Sequence, residues 1–193
     1  SLFCPFYHDT QWRLSPFNVR NNVNGIGAVP SNEVYTLSHP ALLEAQQQLV
    51  RKIASELKDA DNLYYEICNE PYFGGVTLGW QHRIAETLFE TEKGWPARHL
   101  IAQNIANGSA KIEDSHPAVS IFNFHYATPP DAVAVNWGLN KVIADDETGF
   151  KGQDDFAYRR EGWEFLLAGG AIYSSLDYSF TVEQPRGTYK YPP

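Results

Sequence analysis

The sequence predicts an α/β fold in which residues 1–193 form one domain, most of a (β/α)8 barrel covering its strands three to eight. Three observations carry that expectation. Strand-like and helix-like segments alternate along the chain without an internal repeat, which calls for a parallel sheet with crossover connections. Two apolar strands end abruptly in a glutamate next to a turn residue, Glu70 before Pro71 and Glu147 shortly before Gly149. Functional residues at strand C-termini mark the barrel, whereas a doubly wound open sheet would bring a Gly-rich phosphate loop, and none follows any strand here.

The elements follow in order. Residues 1–7 read as an opening strand, and 8–37, rich in Asn, Gly and Pro, as a long polar loop. A helix follows with Ser38 as its expected N-cap and Pro40 in its first turn; Leu42, Leu43, Leu49, Ile53 and Leu57 keep helical spacing to Lys58. Strand 62–68 precedes a helix over 79–93 that carries Trp80, Ile84, Leu88 and Phe89. Strands 99–105 and 119–125 are so close in sequence that any helix between them must be short or absent. A short helix after Pro130, strand 141–146, helix 154–168 and strand 171–177 complete the pass. Six of eight barrel units are therefore expected, without the first two strands and the last helix. With no Met in the chain, residue 1 is not expected to be a translation start.

Composition narrows the partners. The net charge of −8, with no Lys/Arg cluster, argues against nucleic acid. No stretch is long and apolar enough for a membrane span. The 5 Trp, 11 Tyr and 11 Phe suit either a packed core or stacking on sugar faces. Oligomeric state is not written in the sequence. Cys4 and Cys68 read as two small buried thiols, with a disulfide as the alternative in an oxidising compartment.

Paired carboxylates at strand ends are the equipment of glycoside hydrolysis, in which one protonates the leaving oxygen and the other attacks the anomeric carbon or activates water. Metal chemistry lacks a His-x-x-x-His or Cys-x-x-Cys pair, and Ser/His/Asp catalysis lacks its Gly-x-Ser-x-Gly elbow.

Asn69-Glu70-Pro71, preceded by Tyr65-Glu66-Ile67, together with Glu147 and with His125-Tyr126 ending strand 119–125, resembles a known clan. It is similar to the retaining glycoside hydrolases that place the acid/base after strand four and the nucleophile after strand seven, nearest to the cellulase and β-mannanase-like family 5 group. Counting 62–68 as strand four puts Glu147 on strand seven, and the resemblance spans nearly the whole chain. It implies a retaining double displacement on a β-linked oligo- or polysaccharide without a cofactor, and a secreted or periplasmic setting. Glu70 would be the acid/base, its pKa raised by a low-dielectric cleft, and Glu147 the nucleophile, with their carboxyl groups ~5–5.5 Å apart. Asn69 would hold the sugar 2-hydroxyl.

Around them, alternation puts Asp145 on the face of Glu147 as a competing or supporting carboxylate, with Asp146 toward a helix layer. Glu66 is expected in a polar network beneath Glu70. The family pattern spaces the strand-six His and Tyr two apart; here they are adjacent, so only one of His125 and Tyr126 is expected to face the site. Tyr7, His8 and Trp12 suit either a binding subsite or loop packing. Tyr178 or Phe180 would replace the family's strand-eight Trp platform, which is absent. Two alternatives are a catalytically inactive carbohydrate-binding barrel and an α/β protein whose acidic strand ends are structural.

Overall fold

The computed structural model describes residues 1–152, 154–176 and 180–189. The chain is α/β, and its five described strands are parallel in a sheet whose order follows the sequence. Two compact units are distinguished, Ser1–Asn104 with Asp114–Ser120, and Ile105–Glu113 with Ile121–Pro193. No helix among the described residues is long and apolar enough to cross a membrane.

In the first unit, the expected opening strand is reduced to a single parallel bridge from Phe3 to Cys68. The polar loop contains a short helix, α1 (Asp9–Leu14), that the spacing of apolar residues does not announce; its one buried residue is Trp12. Helix α2 (Pro40–Glu56) starts one residue later than the Ser38 cap implied: His39 is the N-cap, because Pro40 at the first helical position fits a proline that has no N–H to donate. Strand β1 is confined to Tyr65–Glu66 and pairs with the start of β2 (Ile101–Asn107). Helix α3 (Leu78–Thr91) is capped by Thr77, whose side chain accepts the Trp80 N–H.

Helices α2 and α3 bury Leu42, Leu43, Val50, Ile84 and Leu88. Gln46 lies among them with no exposure, and its amide is satisfied at both ends: it donates to the Val34 carbonyl and accepts from the Trp80 indole at 2.8 Å. Phe3, Tyr35 and Trp80 pack ring on ring, with centroids 4.7–5.7 Å apart. These three rings put part of the aromatic content into this core.

The second unit holds β3 (Ile121–His125), α4 (Asp131–Asn136), β4 (Val142–Glu147), α5 (Asp155–Leu167) and β5 (Ile172–Tyr173). The connection before β3 carries no helix. Every residue of β3 is buried, as expected of a parallel strand covered on both faces. Helix α5 is capped by Asp154, which accepts from the N–H groups of Phe156 and Ala157. Phe165 lies so close to Gly170 that a Cβ there would sit 2.2 Å from its ring, so only glycine fits.

One irregularity positions the site. Phe124 is level with Asp145, but His125 is level with Glu147, so β4 carries a bulge at Asp146. An extra residue reverses the facing of the residues beyond it.

Candidate functional site

After β1 the chain runs through Ile67 and Cys68, both fully buried, and the Asn69 N–H donates to the Phe3 carbonyl at 2.9 Å. The backbone then turns sharply. Glu70 has φ +40, in the left-handed region that bulky residues avoid. Gly74 and Gly75 come next with φ +63 and +77, and a Cβ on Gly75 would lie 2.3 Å from the Asn32 carbonyl oxygen. Strain of this kind collects where the surrounding structure fixes a functional side chain.

Two phenols grip the Glu70 carboxylate. Tyr7 donates to Oε2 at 2.6 Å and Tyr72 to Oε1 at 3.2 Å. Asn69 donates in turn to the Tyr7 hydroxyl at 3.3 Å, so Asn69, Tyr7 and Glu70 form one chain of hydrogen bonds. Burial first, and the bond to Glu70 second, push the Tyr7 phenol far above its ordinary range, which keeps it a proton donor. Phe73 stands against both tyrosines, 5.8 Å from the Tyr7 ring and 4.9 Å from the Tyr72 ring, and all three rings are exposed to solvent. Sequence reasoning points to Tyr7 and misses Tyr72 and Phe73; two aromatics ahead of a glycine pair, directly after Asn69-Glu70-Pro71, were the available signal.

The neighbours of this cluster sort differently. Trp12 is 5% exposed, donates its indole N–H to the Val29 carbonyl and packs on Phe6, so of the two readings the structure gives loop packing. His8 is exposed at the N-cap of α1, where its backbone N–H donates to Gln11. Glu66 is buried and accepts from the Ser1 hydroxyl at 2.6 Å. The expectation of two buried thiols holds for Cys68 alone: Cys4 is exposed, because its strand is only one bridge long, and both cysteines are free.

At the exit of β4, the Tyr126 hydroxyl donates to Glu147 Oε1 at 2.8 Å, and the Tyr126 N–H donates to the Glu147 carbonyl at 2.8 Å. The buried His125 ring lies beside both acids, with Nδ1 3.7 Å from Glu147 Oε2 and Nε2 3.5 Å from Asp146 Oδ1. Asn123 donates to that same Asp146 oxygen. The Glu147 side chain keeps about a quarter of its surface open (27%), enough to meet a substrate.

Two expectations are overturned here. His125 and Tyr126, although adjacent, both reach Glu147, because Tyr126 has φ +54 and this left-handed residue breaks the alternation of an extended strand. Asp145 and Asp146 exchange places: the bulge turns Asp146 to the side of His125 and Glu147, and Asp145 is 1% exposed and lies near Glu161 of α5. Burial pushes the Asp145 carboxyl up to about 7; the amides of Ala127 and Tyr126 pull the other way, and Asp146 and Glu161 add like-charge repulsion. Tyr178 lies outside the described residues, and Phe180 is exposed.

Each strand exit thus presents a solvent-accessible glutamate held by tyrosine hydroxyls, suited to proton transfer or nucleophilic attack. No protein-family model and no curated protein matches this chain.

Proposed function

We propose that the chain is the greater part of a (β/α)8 barrel of a retaining glycoside hydrolase acting on β-linked oligo- or polysaccharides. The observation that carries this reading is the grip of Tyr126 on Glu147, beside His125 at the same strand exit. A nucleophile must keep one oxygen aimed along the line of attack, and a hydroxyl on its other oxygen does that without consuming the attacking lone pair.

In the first step a Glu147 oxygen attacks the anomeric carbon as the bond to the leaving oxygen breaks, and Glu70 gives that oxygen its proton. A glycosyl ester at Glu147 results. A water then attacks the anomeric carbon, its proton passes to Glu70, and the Glu147 carboxylate leaves with configuration retained. Asn69 is assigned to the sugar 2-hydroxyl and Tyr7 to holding Glu70 between the two proton transfers. No step needs a cofactor. A polymeric substrate places such an enzyme outside the cytoplasm, secreted or periplasmic.

Structural carboxylates in this molecule look different, which weighs against acidic strand ends that merely stabilise the fold. Glu92 is 3% exposed, and both of its oxygens are taken by His99, through the backbone N–H and the ring, each at 2.7 Å. The binding-only barrel is favoured by the missing tryptophan platform and the shifted His-Tyr pair; the pair contacts Glu147, which leaves the missing platform as that reading's support.

The test is to incubate the protein with 2,4-dinitrophenyl 2-deoxy-2-fluoro-β-glycosides and locate any covalent adduct by peptide mass spectrometry. Label on Glu147 is expected. Label on Asp145 or Asp146 would reassign the nucleophile, and a protein that binds oligosaccharides without ever being labelled would be a binding barrel.

A further inference from the structure

Three residues after Glu147 stands an aromatic side chain that neither displacement step uses. Phe150 is 50% exposed, although a phenylalanine at a strand exit would ordinarily be buried. Its backbone has φ +56, and Gly149 before it has φ +103. A Cβ on Gly149 would lie 2.4 Å from the Tyr158 ring, so glycine is required and the turn is forced. The loop is then tied down on its far side: the Lys151 N–H donates to the Tyr158 hydroxyl at 3.0 Å, and that hydroxyl donates to the Gly152 carbonyl at 3.0 Å. On the near side, the Leu176 N–H donates to the Thr148 carbonyl at 2.7 Å. Phe150 is therefore held in an unfavourable backbone conformation by its surroundings and left half open to solvent, the pattern expected where a side chain is displayed for use.

Its neighbour gives the use. The Phe150 ring lies 5.9 Å from the ring of Tyr126 at an interplanar angle of 32°, a tilted pair forming one apolar shelf. Tyr126 is the residue whose hydroxyl holds Glu147 Oε1, so the shelf adjoins the attacking carboxylate. The axial C–H bonds on one face of a pyranose ring are the natural complement of such a surface.

We infer that Phe150 is the sugar-stacking platform of the subsite that contains Glu147, orienting a β-linked pyranosyl ring for attack and filling the role for which the sequence offers no tryptophan after strand 171–177. This rests on the glycosidase reading, and the experiment separates the two. The rates at which 2,4-dinitrophenyl 2-deoxy-2-fluoro-β-glycosides of gluco, manno, galacto and xylo configuration label the wild-type protein, Phe150→Ala, Phe150→Gly and Phe150→Trp are measured, with a thermal melt of each.

The expected result is labelling of Glu147 slowed roughly tenfold or more in the Ala and Gly variants and restored by Trp. The melting temperature of Phe150→Gly should equal or exceed that of the wild type, because the left-handed strain is relieved. Wild-type labelling with an unchanged rate in Phe150→Ala overturns the platform and leaves the glycosidase standing. Slow labelling with lowered melting temperatures, not rescued by Trp, makes Phe150 a packing residue and also overturns it. If no glycoside labels the wild type, calorimetry with cellotetraose, mannotetraose and xylotetraose decides: binding that is lost in Phe150→Ala keeps the platform and removes the hydrolase, and no binding removes both.

Discussion

At Glu70 the gripping groups come from loops, Tyr7 from the opening segment and Tyr72 from the turn just after the glutamate itself. At Glu147 they come from the exit of the neighbouring strand, His125 as the last residue of β3 and Tyr126 directly after it. The difference matches the tasks proposed for the two carboxylates. A nucleophile performs best when fixed by the most rigid elements available, and strands are more rigid than loops. An acid/base must meet the leaving oxygen in one step and a water in the next, and hydroxyls on loops tolerate that exchange of partners.

The largest effect that would break this comparison is at the carboxylates. Glu147→Gln should reduce kcat by about 10⁴-fold or more on every substrate, since no group remains to form the ester. Glu70→Gln should cost roughly 10²–10⁴-fold on a saccharide, whose leaving oxygen needs a proton, and far less on a dinitrophenyl glycoside, whose leaving group does not. Measuring both variants on both substrates separates the roles. If the leaving-group dependence falls on Glu147 instead, the assignments are exchanged.

Smaller effects sharpen it. Tyr126→Phe removes a hydrogen bond to a charged group, worth about 1.5–3 kcal/mol, so kcat should fall roughly 10–100-fold with KM little changed. Tyr7→Phe removes one of two loop phenols and should cost less, about tenfold or below, because Tyr72 still holds the other oxygen of Glu70. A Tyr7 variant more damaged than the Tyr126 variant would contradict the idea that the strand-built grip is the more exacting of the two.

The element order, the parallel strands and both acidic exits were legible because hydrophobic spacing and turn residues announce them. The side-chain layout at the exits was not, and the reason is local. Reading Asp145 as the partner of Glu147 assumed unbroken alternation, which a single extra residue at Asp146 reverses. Reading His125 against Tyr126 made the same assumption, and one left-handed φ defeated it. Neither a bulge nor a left-handed non-glycine residue has a dependable signature in one sequence, since tertiary packing imposes both. Trp12 shows the complementary failure: an indole in a polar loop reads equally as a ligand platform or as the core of a short helix, and only burial separates the two.

Asp145 offers a last and smaller test, of the strand beneath Glu147. Its carboxyl is raised in the folded protein from 3.8 to about 7, chiefly by burial. An acid of this kind keeps its proton in the folded chain at pH values where the unfolded chain has released it, so its contribution to stability is complete below about pH 4 and is lost as the pH rises toward 7. Asn in its place is neutral throughout. The melting temperature of Asp145→Asn should therefore gain on that of the wild type steadily between about pH 4 and 7 and hold a constant lead above that. Parallel melting curves across this window would mean that Asp145 titrates alike in both states, and that the bulge does not carry it into the interior beside Glu161.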